Sequence, residues 1–276
     1  MKYINVLRRE AGVRTLLSAL NSNPKILKNN KLGILTGVLH LAPGSMSGHE
    51  VCPKRSAGCS AACLHFAGSP AYMTGKTTAR IARTKLLFAN RNLFMNILAL
   101  EIAEHVAKAD NDNFEPAIRL NGTSDIVWEK RNFILFPQTV AILTHLDSFW
   151  NPLARNIIDM FPRLSFYDYT AIPKREPGAN YHLTFSLKEQ NENEALHEMS
   201  RGLNVAAVFP YKAIPTHFLG RPVIDGDEHD YRPADPQGVI VGLKAKGVKG
   251  RSDLSGFVYR VSIPANDDNF ELQLTA

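Results

Sequence analysis

Short apolar runs alternate along this chain with helical stretches, and that alternation restricts it to an α/β fold. The runs are Lys31 to Leu41, Pro116 to Asn121, Leu164 to Tyr169, Tyr181 to Leu187, Val205 to Phe209 and Gly238 to Leu243. Each is brief and rich in branched or aromatic residues, as buried strands are. Between them the spacing turns helical. Lys76 to Asn90 lacks Gly and Pro, with Thr74 as its N-cap. Asn92 reads as the cap of a second helix, in which Phe94, Leu98, Ile102 and Val106 recur at four-residue steps. Phe136 to Leu146 and Asn151 to Phe161 read as further helices, and Glu192 to Arg201 ends at Gly202. Strands apolar throughout and separated by helices predict a parallel sheet covered on both faces. The expected fold is a complete or partial (β/α) barrel, with an open doubly wound sheet as the alternative. Function then gathers at the C-terminal strand ends.

The expected layout is one domain over 1–276. A helical segment covers about 1–30, with Val13 to Leu20 near helical spacing. A barrel-like core covers about 31–260 and a tail 261–276. Pro210 to Gly238 reads as a long loop over a strand end, a place where function often sits. Apolar residues are 45% and charged residues 21%, which excludes a mostly disordered chain. The longest membrane candidate, Leu93 to Ala103, is interrupted by Asn96 and Glu101. The start lacks a secretory pattern, so the expected compartment is the cytoplasm, with no membrane partner. A net charge of +6 permits a phosphate-bearing partner without demanding one.

All three cysteines, Cys52, Cys59 and Cys63, lie within twelve residues, spaced C-x6-C-x3-C. An odd number so close together argues against a disulfide framework and for a metal site. Two metals compete. An iron–sulfur cluster held by three thiolates keeps one iron open to a small molecule. Zinc wants four protein ligands, the fourth being His49 or His65. Lys54 and Arg55 stand ready to offset thiolate charge.

With those residues in view, a resemblance emerges. A strand, a three-cysteine loop, a helix and a barrel-like strand series resemble the radical S-adenosylmethionine (SAM) superfamily, whose common spacing is C-x3-C-x2-C. The chain also resembles a family carried by phages and related mobile elements. That likeness rests on CPKRSAGCSAACL (Cys52 to Leu64), RLNGTSD (Arg119 to Asp125), FYDYT (Phe166 to Thr170), TFSL (Thr184 to Leu187) and PVIDGDEHD (Pro222 to Asp230), and spans about residues 35–260. It implies a shared fold and site more than a reaction. The radical SAM likeness implies a [4Fe–4S] cluster on Cys52, Cys59 and Cys63, with SAM on the open iron and an external reductant.

Other candidates come from polar groups at strand ends. Asn121, Thr123 and Ser186 are candidate cofactor contacts, and Asp125 and Tyr169 candidate catalytic groups. Asp125 or its neighbours could equally cap the next helix, and Tyr169 could be an ordinary core tyrosine. Arg119 could grip a carboxylate or phosphate. Lys76, Arg80 and Arg83 share a helix face, either solvated or a basic rim for an anion. Asp225, Asp227 and His229 form an acidic cluster able to meet a substrate or a divalent cation, or to be a solvated turn. Lys244 and Lys246 are a further phosphate candidate. Gly75-Lys76-Thr77-Thr78 has Pro70 where a P-loop needs Gly. No nickase, serine-hydrolase or zinc-protease motif is present. The leading expectation is a radical-SAM-like enzyme acting on a small molecule, a nucleotide or a nucleic acid. The alternative is a zinc-stabilised nucleic-acid-binding protein.

Overall fold

The computed structural model describes residues 2–18, 24–66, 74–146, 150–210 and 214–260. The predicted tail 261–276 lies outside them. Eight strands form one sheet: β1 (Ile34–Val38), β2 (Glu115–Arg119), β3 (Ser165–Thr170), β4 (Tyr181–Ser186), β5 (Val205–Phe209), β6 (His217–Phe218), β7 (Arg221–Asp225) and β8 (Ile240–Lys244). Their spatial order is β1-β2-β3-β4-β5-β8-β7-β6. Every pairing is parallel except β6 with β7. The protein is therefore α/β with a mostly parallel sheet of the partial (β/α)-barrel kind.

Nine helices accompany it among the described residues: α1 (Lys2–Glu10), α2 (Pro24–Leu27), α3 (Ala57–Ala61), α4 (Gly75–Ala89), α5 (Arg91–Asn111), α6 (Pro137–Leu146), α7 (Ile157–Met160), α8 (Glu192–Ser200) and α9 (Gly247–Arg251). The longest, α5, is buried on nearly all sides, with Phe94, Ile97, Leu98 and Ile102 in the main core. Asn90, not Asn92, caps it, its side chain accepting from Leu93 N at 3.1 Å. The polar residues within α5 each tie down a neighbour. Asn96 Oδ1 accepts from Phe136 N, His105 Nε2 meets Leu35 O at 3.0 Å, and Glu101 accepts from the backbone of Leu16 and Leu17. No described helix is long and apolar enough to cross a membrane.

Three further expectations change. Val13 to Ser18 is not helical: Glu101 holds the Leu16 and Leu17 N–H groups, and Leu17 bridges Leu39 instead; positions 19–20 lie outside the described residues. Only Ile157–Met160 of Asn151 to Phe161 is helical, capped by Asn156. The stretch Pro210 to Gly238 contains β6 and β7, not only loop.

Strand alternation divides the sheet's two faces. Ile118, Phe166, Tyr181 and Leu183 join the core beneath α5. Arg119, Tyr167, Tyr169, His182 and Thr184 alternate with them and take the opposite, inner face. The segment after β7 turns into that inner space. Asp230 and Arg232 are buried there, Asp230 receiving Arg119 Nη1 at 2.9 Å and the Tyr167 hydroxyl at 3.2 Å. Their burial is the physical reason the chain's end of PVIDGDEHD is not a solvated turn.

Candidate functional site: a thiol loop over the strand ends

The cysteine loop leaves the C-terminal end of β1 and is clamped by its own polar side chains. Arg55 reaches Glu50 at 3.1 Å, Ser60 at 3.1 Å and Ser45 at 3.4 Å. Ser56 caps α3 by accepting from Cys59 N. Gly58 N donates to Glu189, beyond β4, at 2.6 Å. Gly58 has no room for a side chain: a Cβ would run into Ser255 Oγ and stand 2.6 Å from Phe257 Cβ. The loop is thus seated on the strand ends rather than projecting from them.

All three thiols are half-buried. Cys52 Sγ accepts from Gly44 N at 3.5 Å and donates to Thr123 O at 3.8 Å. Burial pushes Cys52 up to about 12, and the charges of Asp125, Cys63 and Cys59 add to that. Burial also raises Cys59, to about 11, with Cys63 adding and Lys188 opposing. Cys63 rises through burial, against pulls from the His65 backbone, Arg80 and Lys76. Burial thus disfavours the thiolate at all three positions. The cations that favour their thiolates are Lys76, Arg80 and Lys188. Lys54 and Arg55, expected in that role, instead pair with Glu194 and Glu50.

Among the described residues, no three His, Cys, Asp or Glu side chains converge closely enough to hold a single metal ion. The expected tight cluster of thiols is therefore absent as a one-ion site. Nor does either histidine turn to the sulfurs. His65 meets Arg80 Nη1 at 2.8 Å through Nδ1 and Thr77 Oγ1 at 3.2 Å through Nε2. Burial and the Arg80 charge lower it to about 4. His49 stacks on Phe88, with ring centroids 4.3 Å apart.

The strand-end candidates divide by what holds them. Asn121 spends its amide within its own loop, accepting from Ser124, Ile126 N and Trp128. Thr123 Oγ1 donates to Leu41 O at 2.6 Å. Asp125 accepts from Thr170 Oγ1 and Ala171 N, and its own N–H meets Val51 O beside Cys52. Burial raises its carboxyl, while the Ala171 and Thr170 hydrogen bonds and Arg175 oppose. Ser186 ends β4, its carbonyl accepting from Asn191. Arg119 lies over the Tyr169 ring, 4.9 Å from its centroid. Lys76, half-exposed, donates to His65 O, buried Arg80 meets the His65 ring, and Arg83 donates to Thr15 O.

Among the described residues, the acidic cluster is held in ion pairs and hydrogen bonds. Asp225 pairs with Lys244 at 2.7 Å, Asp227 with Lys246 at 2.8 Å, and His229 meets Arg232. These pairs use the carboxylates and both lysines expected to bind phosphate, and none of these contacts reaches a thiol.

Sequence reasoning did not single out His40, Arg175, Lys188 or Arg232, because an isolated basic residue carries no spacing signal. Asp168, beside Tyr169, proves wholly buried, accepting from Asn121 N and the Tyr181 hydroxyl at 2.7 Å each. Burial raises its carboxyl from 3.8 to about 7, against the pull of Arg119 and those hydrogen bonds. The fold thus favours the protonated form. Its contribution to stability is complete below 3.8 and is lost as pH rises through about 7. Asp168→Asn should flatten the urea midpoint across that window; parallel pH curves for variant and wild type would contradict this.

The fold and loop define an α/β protein with a mostly parallel sheet and a thiol-bearing loop over its strand ends. The chain belongs to the gene product 88 family, whose model matches residues 15–261. No curated protein and no solved structure matches it.

Proposed function

We propose that this protein is an iron–sulfur enzyme of radical-SAM-like construction. Cys52, Cys59 and Cys63 would ligate three irons of a [4Fe–4S] cluster, leaving the fourth for SAM. The observation that carries this reading is the placement of three half-buried thiols on one loop that Glu189, Thr123 and Asp125 tie to the C-terminal strand ends. Bound there, the cluster supplies the electron, drawn from an external reductant, for reductive cleavage of SAM and hydrogen abstraction from a substrate.

The chain's own part is positional. Arg80, Lys76 and Lys188 offset the charge of the thiolates, which burial otherwise suppresses. Glu189 and Arg55 fix the loop. Thr123 and Asp125 link the loop after β2 to Cys52 and Val51. Arg119 and Tyr169 face the inner space, where a small-molecule or nucleotide substrate would lie.

The test is anaerobic expression with iron and sulfide, followed by visible absorption and metal analysis of wild type and Cys59→Ala. A brown protein with about four irons per chain, lost in the variant, is expected. SAM should then perturb the spectrum of the reduced protein. A colourless wild type carrying zinc would overturn the reading and favour a structural metal in a nucleic-acid-binding protein.

A further inference from the structure

The inner face of the sheet carries polar groups that the fold does not use. Across β1 and β2, Val38 stands beside Arg119; across β3 and β4, Tyr167 stands beside His182 and Tyr169 beside Thr184. His40 follows Val38 by two residues. On this side His40 Nδ1, Arg119 Nε, the Tyr169 hydroxyl, His182 Nε2 and Thr184 Oγ1 are all buried without a hydrogen-bond partner among the described residues. A buried polar atom left unpaired costs folding free energy, and native interiors hold few. Four of these come from the adjacent strands β2, β3 and β4 and call for a polar partner, while His40 Nδ1 lies close against Gly122.

The surroundings say what kind of group. Arg119 gives Nη1 to Asp230, while its Nε stands 3.9 Å from the Asp168 carboxylate, too far for a hydrogen bond. His40 lies among Arg80, Arg119 and Arg83, with Asp230 opposing them. Burial and those guanidinium groups hold it near 3, so its imidazole is neutral and offers one donor and one acceptor. Tyr169 and Thr184 add hydroxyl donors. An apolar occupant would leave these groups unpaired, and a bare cation offers no acceptor to the Arg119, Tyr169 and Thr184 donors, around which Arg119 and Arg232 are matched by Asp230 and Asp235. An anion with oxygen acceptors satisfies both conditions.

We propose that the C-terminal half of this inner face binds an oxyanion carried by a small molecule, a phosphate monoester or a carboxylate. Arg119, Tyr169 and Thr184 receive it, with His40 at its edge. This names the substrate chemistry under the reading above and rests on that reading only for the reaction after binding; binding itself does not need the thiols.

The test is calorimetric titration of the full chain, purified without iron, with inorganic phosphate and separately with malonate. Tyr169→Phe and Thr184→Val remove hydroxyls that no described residue uses, so both variants should fold at least as well as wild type. Saturable binding of one anion is expected, weakened about tenfold in each variant. Preference for phosphate identifies the phosphate monoester, and preference for malonate the carboxylate. Failure of both anions to bind, or equal binding by wild type and both variants, overturns the proposal and leaves ordered water as the occupant. The same titration on Cys59→Ala separates the two readings: retained binding in a protein that takes up no iron keeps the anion site when the thiol chemistry fails.

Discussion

Arg175→Met should destabilise the protein by about 3–5 kcal/mol, because it strands buried carboxylates without their cation. Arg175 is 6% exposed. Its Nε and Nη2 meet the two oxygens of Glu129 at 2.9 and 2.7 Å, a two-pronged pair. Nη1 stands 3.7 Å from Asp125, and Nη2 reaches the Tyr181 hydroxyl at 3.4 Å. One guanidinium therefore steadies Glu129, Asp125 and, through Tyr181, Asp168. Removing it also relieves Asp125 of a charge that lowers its pKa. Chemical denaturation of Arg175→Met and of the double variant with Glu129→Gln checks this. The double variant should recover part of the loss, since one stranded charge goes with it. A single variant within about 0.5 kcal/mol of wild type would refute the argument.

Glu101→Ala is the second large effect, expected to cost about 2–5 kcal/mol. Its carboxylate accepts from Leu16 N at 2.9 Å, Leu17 N at 2.7 Å and Arg8 Nε at 3.0 Å. Alanine would leave two buried backbone N–H groups unpaired and free a segment that packs on β1. Glu104→Ala is the control. That carboxylate is 37% exposed and 3.4 Å from Arg8, so its loss should cost well under about 1 kcal/mol. Comparable losses for the two variants would show that charge with Arg8, not backbone capture, is what Glu101 provides.

Much of the architecture was legible because strand and helix periods are local. Val205 to Phe209 matches β5 residue for residue, and Phe136 to Leu146 differs from α6 by one residue. β7 was hidden because Pro222 and Asp225 dilute its apolar character, and β6 has only two residues. The short helix α3 was hidden in a run of small residues that reads as loop. At the site, the crowding of the cysteines and the strand-end position of Arg119 and Asp125 could be read from spacing. The commitment of Asn121 to its own loop could not, since an amide's partners are set by tertiary contacts. Nor could the fate of Asp225 to Asp230. Its first half pairs with Lys244 and Lys246, while Asp230 turns inward to Arg119 and Tyr167, and both halves look equally acidic as bare sequence.

The inward turn after β7 also bears on how the chain acquires its structure. Asn29 Oδ1 accepts from the backbone N–H of Asp230 and Tyr231, about two hundred positions away, and Arg119 meets Asp230 across more than a hundred. Closures over such distances lose chain entropy before any contact repays it, which slows folding. On the ribosome, the first four strands emerge well before residue 230 does. Until then, Arg119 and Tyr167 lack the carboxylate that neutralises and orders them. The inner face is therefore completed late, by the last third of the chain, and a product truncated ahead of Asp230 would carry most of the sheet with its interior unfinished.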